Sequence, residues 1–113
     1  MKREIRFKFW DNKAKRMINN PLIDKSKNIN EIFMQNDDFE IMQYTGFKDK
    51  SNNDIFEDDI VFNDEDKKFY YVKFFNGCWF FVWLNDEKTY INADFYKHRT
   101  KVIGNIHYGQ LIY

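Results

Sequence analysis

Three groups of residues have types and spacings that could do chemistry: the carboxylate runs Glu57-Asp58-Asp59 and Asp64-Glu65-Asp66, the oxygen-rich loop around Asp49, Ser51 and Asn53, and the scattered Cys78, His98 and His107. Dense carboxylates could hold a magnesium ion, but neighbouring acids on a turn ordinarily face water, and that is the expectation for both runs. Asp49, Ser51 and Asn53 match the first three oxygen positions of a calcium loop. The match then fails, because the sixth position is Asp54 rather than glycine and the twelfth is Ile60 rather than glutamate. His98 and His107 lie at ligand spacing neither from each other nor from Cys78, which argues against zinc. A Cys–His nucleophile pair meets only in space, and Cys78 has no neighbouring basic residue in sequence to lower its pKa. Gly46, Gly77, Gly104 and Gly109 form no phosphate-cradling pattern and read as turns. No catalytic, cofactor-binding or metal-binding residue is assigned, and a non-enzymatic protein without a cofactor is expected.

The element that dominates the chain is the stretch from Phe69 to Leu84, two aromatic-rich runs joined by Asn76-Gly77, a strong hairpin signal. A two-residue turn sets Phe75 opposite Cys78 and pairs Phe74 with Trp79, Val72 with Phe81 and Tyr70 with Trp83. One face then carries Tyr70, Val72, Phe74, Trp79, Phe81 and Trp83. The other carries Phe69, Tyr71, Lys73, Phe75, Cys78, Phe80, Val82 and Leu84. A hairpin with one wet side alternates apolar and polar residues, whereas both faces here are largely apolar. Something must therefore cover each face, either the chain itself or another subunit. Tyr70, Phe74, Trp79, Phe81 and Trp83 are the expected homo-oligomer contact. On its mainly apolar face Cys78 is expected to act as a small hydrophobe.

Length and composition allow one domain, residues 1–113, with a modest core. Aromatic residues make up 20% of the chain, which argues against disorder. No window approaches a membrane span, Met1-Lys2-Arg3-Glu4-Ile5-Arg6 does not resemble a signal peptide, and one cysteine cannot form an internal disulfide, so a soluble cytoplasmic protein is expected. Formal net charge is zero but strongly segregated: residues 1–30 hold nine Lys or Arg against three Asp or Glu, residues 31–66 two against twelve, and residues 67–113 seven against three. Basic ends packing beside an acidic middle explains this. The alternative is a small-barrel nucleic-acid binder using Arg3, Arg6, Lys8, Lys67, Lys68 and Lys73 beside the aromatic ladder. A net basic balance, usual in such domains, is absent.

Periodicity places strands at Glu4–Trp10, Arg16–Ile18, Glu40–Tyr44, Asp59–Phe62 and Lys101–Ile106, around the hairpin. Residues 19–38 read as a short helix or ordered loop. Asn92 is expected to cap a helical turn.

Met42-Gln43-Tyr44-Thr45-Gly46-Phe47-Lys48-Asp49-Lys50, followed by Ile55-Phe56-Glu57-Asp58-Asp59-Ile60-Val61, resembles the central signature of the YopX family. Arg6 to Trp10-Asp11 with Met17, and Val102-Ile103-Gly104-Asn105-Ile106-His107, resemble that family's opening and closing segments. The resemblance implies a phage or prophage origin, a mainly β fold and self-assembly, and it carries over no catalytic residue. This chain has Asp58 where the family usually has glycine, which predicts a positive φ there. It also ends in Tyr108-Gly109-Gln110-Leu111-Ile112-Tyr113 rather than a proline-containing acidic tail. The expected architecture is mainly β: a small SH3-like half-open barrel with an N-terminal β-hairpin beside it and at most one or two short helical turns. The expected role is that of an oligomeric interaction or structural module.

Overall fold

The computed structural model describes residues 6–19 and 39–108. Arg3, the reading of residues 20–38 and the tail beyond Tyr108 lie outside those residues. The fold is mainly β, two antiparallel sheets with the second curled into a half-barrel. In the first, β1 (Phe7–Asp11) turns into β2 (Arg16–Asn19) because Asp11 Oδ1 accepts the amides of Lys13 and Ala14, and Lys15 takes φ 55°. The other edge of β1 pairs with β3 (Phe39–Lys48), which in turn pairs with β4 (Asp54–Phe56), giving the order β2-β1-β3-β4. The register slips between Tyr44 and Lys48, at the stretch holding Gly46, whose φ of 86° favours glycine.

The second sheet has the order β8-β7-β6-β5-β9, built from β5 (Asp59–Asn63), β6 (Lys68–Phe75), β7 (Cys78–Trp83), β8 (Tyr90–Asn92) and β9 (Thr100–Asn105). Asn76 and Gly77 take φ 50° and 77°, both left-handed as a type I′ turn requires, and every predicted hairpin pair is observed. The Asn92 side chain caps α1 (Ala93–Tyr96) by accepting the amide of Phe95 at 3.0 Å. A 3-10 turn at Lys97–Arg99 continues it, and another follows β9 at Ile106–Tyr108. Strand β3 extends beyond Tyr44 through the residues read as a turn, while β4 and β8 were hidden in polar surroundings.

The Asp49 loop is a brace. Its carboxylate accepts the amides of Ser51 and Asn53 at 2.9 Å and of Val102 at 2.8 Å, while Lys50 donates to the Thr100 carbonyl. The loop thereby caps a sheet edge that would otherwise offer unpaired amides.

Strand β4 serves both sheets because successive side chains point opposite ways. Ile55 enters the main core with Val61, Tyr70, Val72, Trp79, Phe81 and Ala93, whereas Phe56 packs on Tyr44 at 5.3 Å between ring centroids. Phe47, Ile91, Tyr96 and Val102 close over the same core. Of the residues expected at a subunit contact, Tyr70, Trp79 and Phe81 are buried within the single chain, Trp83 is half-buried against that core, and Phe74 is the well-exposed one. The roof is made by β4, α1 and β9, segments too short or too polar to be recognised as apolar cover in sequence.

Replacement of Phe81 by alanine should therefore cost about 3–5 kcal/mol of unfolding free energy, as for a fully buried ring. Phe74→Ala, at 49% exposure, should cost less than about 1 kcal/mol. Urea unfolding checks both, and equal small losses would show that the hairpin's inner face is not core.

Candidate functional site

Covering one face of the hairpin leaves the other as the outer face of the sheet. Lys73 pairs with Phe80 and Phe75 with Cys78, so these side chains emerge together, with Tyr90 arriving from β8 opposite Val82. Their rings form a compact cluster: Phe75 stacks on Phe80 at 4.3 Å, and Tyr90 sets its edge against both at 5.1 Å. Tyr90 is half exposed, Phe75 and Phe80 are partly exposed, and Cys78 is exposed. Cys78, expected to act as a small hydrophobe on this face, is thus a surface thiol beside the turn. Further along the same face Phe62 and Phe69 pack at 5.0 Å, and Leu84 is exposed. The face carries Lys73 and Lys101 as its charged residues, both exposed.

Among the described residues, the alternative basic set is divided between the two sheets rather than gathered into one groove. Arg6 and Lys8 belong to the first sheet: Arg6 is ion-paired with Asp54 at 2.8 Å and lies over the Tyr44 ring, while Lys8 sits over Phe56. Burial would raise the Asp54 carboxyl, but hydrogen bonds from Lys48 and Arg6 outweigh it and lower its pKa. Lys67 lies over Phe62 and Lys68 over Trp83, at the start of β6. Lys73 is five residues further along, roughly 17 Å in an extended strand, and it points to Asp58 at 3.9 Å.

Of the two carboxylate runs, Asp64–Asp66 lies at the surface as expected, with Glu65 and Asp66 exposed, whereas Glu57–Asp59 does not. Asp64 pairs with Lys50, Glu65 with Arg99, and Asp66 accepts the Tyr70 hydroxyl, each acid being engaged separately. Asp58 and Asp59 are buried. They form the turn between β4 and β5, where the sheets meet: Glu57 donates its amide to Gln43, Asp58 donates to Val72, and Ile106 donates to the Asp58 carbonyl. Asp58 has φ 67°, as its place in the family signature predicted. Its Oδ2 lies 3.0 Å from His107 Nε2, and Trp10 stacks on that imidazole at 5.8 Å. Asp59 accepts the Phe56 amide at 2.8 Å and Asn105 Nδ2 at 3.0 Å. Burial pushes its carboxyl up to about 6, against the opposing effects of those two hydrogen bonds and Lys8. Burial also raises the Glu57 carboxyl. Among the described residues no three His, Cys, Asp or Glu side chains gather as metal ligands. The Asp58–His107 and Asp59–Asn105 pairs were invisible in sequence because nearly fifty residues separate their members. The closing Asn105-Ile106-His107 segment was the available signal.

A family model described as "YopX protein" matches residues 6–109. Among solved structures, the crystal structure of protein EF1440 from Enterococcus faecalis is similar, with a TM-score of 0.66 and 25% identity over 96% of each chain. No curated protein matches the chain.

Asp59 makes stability depend on pH with a definite sign. Its folded pKa, about 6, exceeds the ordinary 3.8, so its contribution is full below about pH 4 and is lost as pH rises through 6. The loss is at most about 3 kcal/mol. Asp59→Asn removes this component and leaves the oppositely shifted Asp54 and Asp64 in place. The stability difference, wild type minus variant, should therefore fall between pH 4 and 7 in urea unfolding; a constant or rising difference would contradict a buried, proton-holding Asp59.

Proposed function

The chain belongs to the YopX family, and from that premise we propose that it is a phage- or prophage-encoded, non-enzymatic, cytoplasmic interaction module that assembles with copies of itself through the outer face of its five-stranded sheet. The observation that carries this reading is the partly exposed Phe75–Phe80–Tyr90 cluster on a face whose opposite side already forms the chain's own core. Contiguous exposed apolar surface marks a contact site, and aromatic residues are enriched at protein interfaces. A chain with zero formal net charge approaches its own copies without net repulsion. Among the described residues, no helix is long and apolar enough to cross a membrane.

Stacking of single-stranded bases is less well supported on the same face. Phe75 and Phe80 occupy one another's ring faces, Tyr90 is turned edge-on to them, and Lys73 is directed toward Asp58. Arg6, Lys8, Lys67 and Lys68 lie away from this cluster.

Light scattering coupled to size-exclusion chromatography at tens of micromolar should give a mass that is a multiple of 14.0 kDa. Phe80→Asp should weaken assembly by about 30-fold or more, as loss of an interfacial hot spot does, with the circular dichroism spectrum unchanged. A wild-type mass of 14.0 kDa would overturn the reading. Salt-sensitive, sub-micromolar binding of single-stranded DNA by that monomer would favour the nucleic-acid alternative.

A further inference from the structure

The Asp59 carboxylate is buried at the meeting point of the two sheets, and both of its hydrogen-bond partners are donors: the Phe56 amide on Oδ2 and Asn105 Nδ2 on Oδ1. An ionised carboxylate is an acceptor only, so these bonds satisfy it. They also orient the Asn105 amide. With Nδ2 committed to Asp59, Asn105 Oδ1 faces the other way and accepts the His107 amide at 3.0 Å. Asn105 is itself 2% exposed, which leaves water little access to repair a mismatch.

We propose that Asp59 and Asn105 form a proton-operated switch that controls how firmly the Ile106–Tyr108 turn is held on the joint between the sheets. When Asp59 takes a proton from solvent at Oδ1, Oδ2 still accepts the Phe56 amide, but the new O–H faces the Asn105 Nδ2 donor. The acceptor within its reach is Asn105 Oδ1, which comes round when the amide rotates by half a turn. That rotation presents Nδ2 to the His107 amide, placing donor against donor, and the turn loses its side-chain anchor. Loss of the proton restores the original arrangement. Because an unpaired buried donor is costly, the two amide orientations are discrete alternatives tied to the two states of Asp59.

The charged groups around the switch set its balance. Lys8, from β1, favours the ionised carboxylate, and Asp58, in the same turn, opposes it. Asp58 in turn faces His107 from the 3-10 turn and Lys73 from β6, while neighbouring Glu57 accepts the Gln43 amide. The Asp58–His107 side-chain contact does not pass through Asn105. The switch therefore loosens the backbone anchor of the turn and leaves that contact as a tether. Burial of Asp59, which pushes its carboxyl up to about 6, brings the transition into mildly acidic conditions.

Nuclear magnetic resonance of the intact chain tests this. Asp59 Cγ, the Asn105 side-chain amide and the His107 backbone amide should titrate together with one midpoint between pH 4.5 and 8. Hydrogen exchange at His107, corrected for its intrinsic pH dependence, should speed up on the order of fivefold on the acid side, as expected for loss of one hydrogen bond. In Asp59→Asn the Asp59-linked component at the His107 backbone amide should disappear. An Asp59 that titrates with no accompanying change at Asn105 and the His107 amide would overturn the switch, as would an Asp59 that stays ionised throughout. The wild-type titration is decisive even if the variant does not fold.

Discussion

The turn Glu57-Asp58-Asp59 is the constraint on which both sheets depend. Its three residues bond to four different strands or turns: Glu57 to Gln43 of β3, Asp58 to Val72 of β6 and to Ile106 beyond β9, and Asp59 to Asn105 of β9. A turn that must serve so many partners has little conformational choice, and Asp58 takes a left-handed φ of 67° to do so. Such a conformation is disfavoured for most side chains and persists where surrounding bonds over-determine it. Here the bonds to Val72, Ile106 and His107 supply that determination.

The joint also decides the fate of the aromatic hairpin. By turning between β4 and β5 it lays Ile55 and Val61 against Tyr70, Val72 and Phe81. One hairpin face thus becomes core, and the other, bearing Phe75, Phe80 and Tyr90, becomes surface. The sheet edge at β9 is covered by the Asp49 loop, which leaves a face rather than that edge as the place for contact. This aromatic surface is what the proposed interaction module rests on, and residues of the family signature build the joint that places it there.

Much of the fold was legible because its signals are local. Asn76-Gly77 set the hairpin and its register, alternation marked β1, and Asn92 announced a helix cap. The exchange of roles between the hairpin faces was not legible, since it depends on which short segments fold over it. Ile55 and Ala93 sit among charged or polar neighbours and gave no hint that they roof an aromatic core. Asp58 and Asp59 looked like solvated turn acids because carboxylates usually are; only tertiary structure brings His107 and Asn105 to them. Asp49 likewise resembled a calcium ligand by spacing, yet it braces backbone amides.

If the Glu57–Asp59 turn joins the sheets into one unit, they should open together. Native-state hydrogen exchange measures this directly, comparing amides bonded between β1 and β3 with those bonded between β5 and β6. The joint predicts that the most protected amides of both sheets exchange with the same free energy, equal to that of global unfolding, and with the same denaturant dependence. Exchange of the β1–β3 amides through a separate, lower-energy opening, while β5–β6 stayed protected, would contradict it.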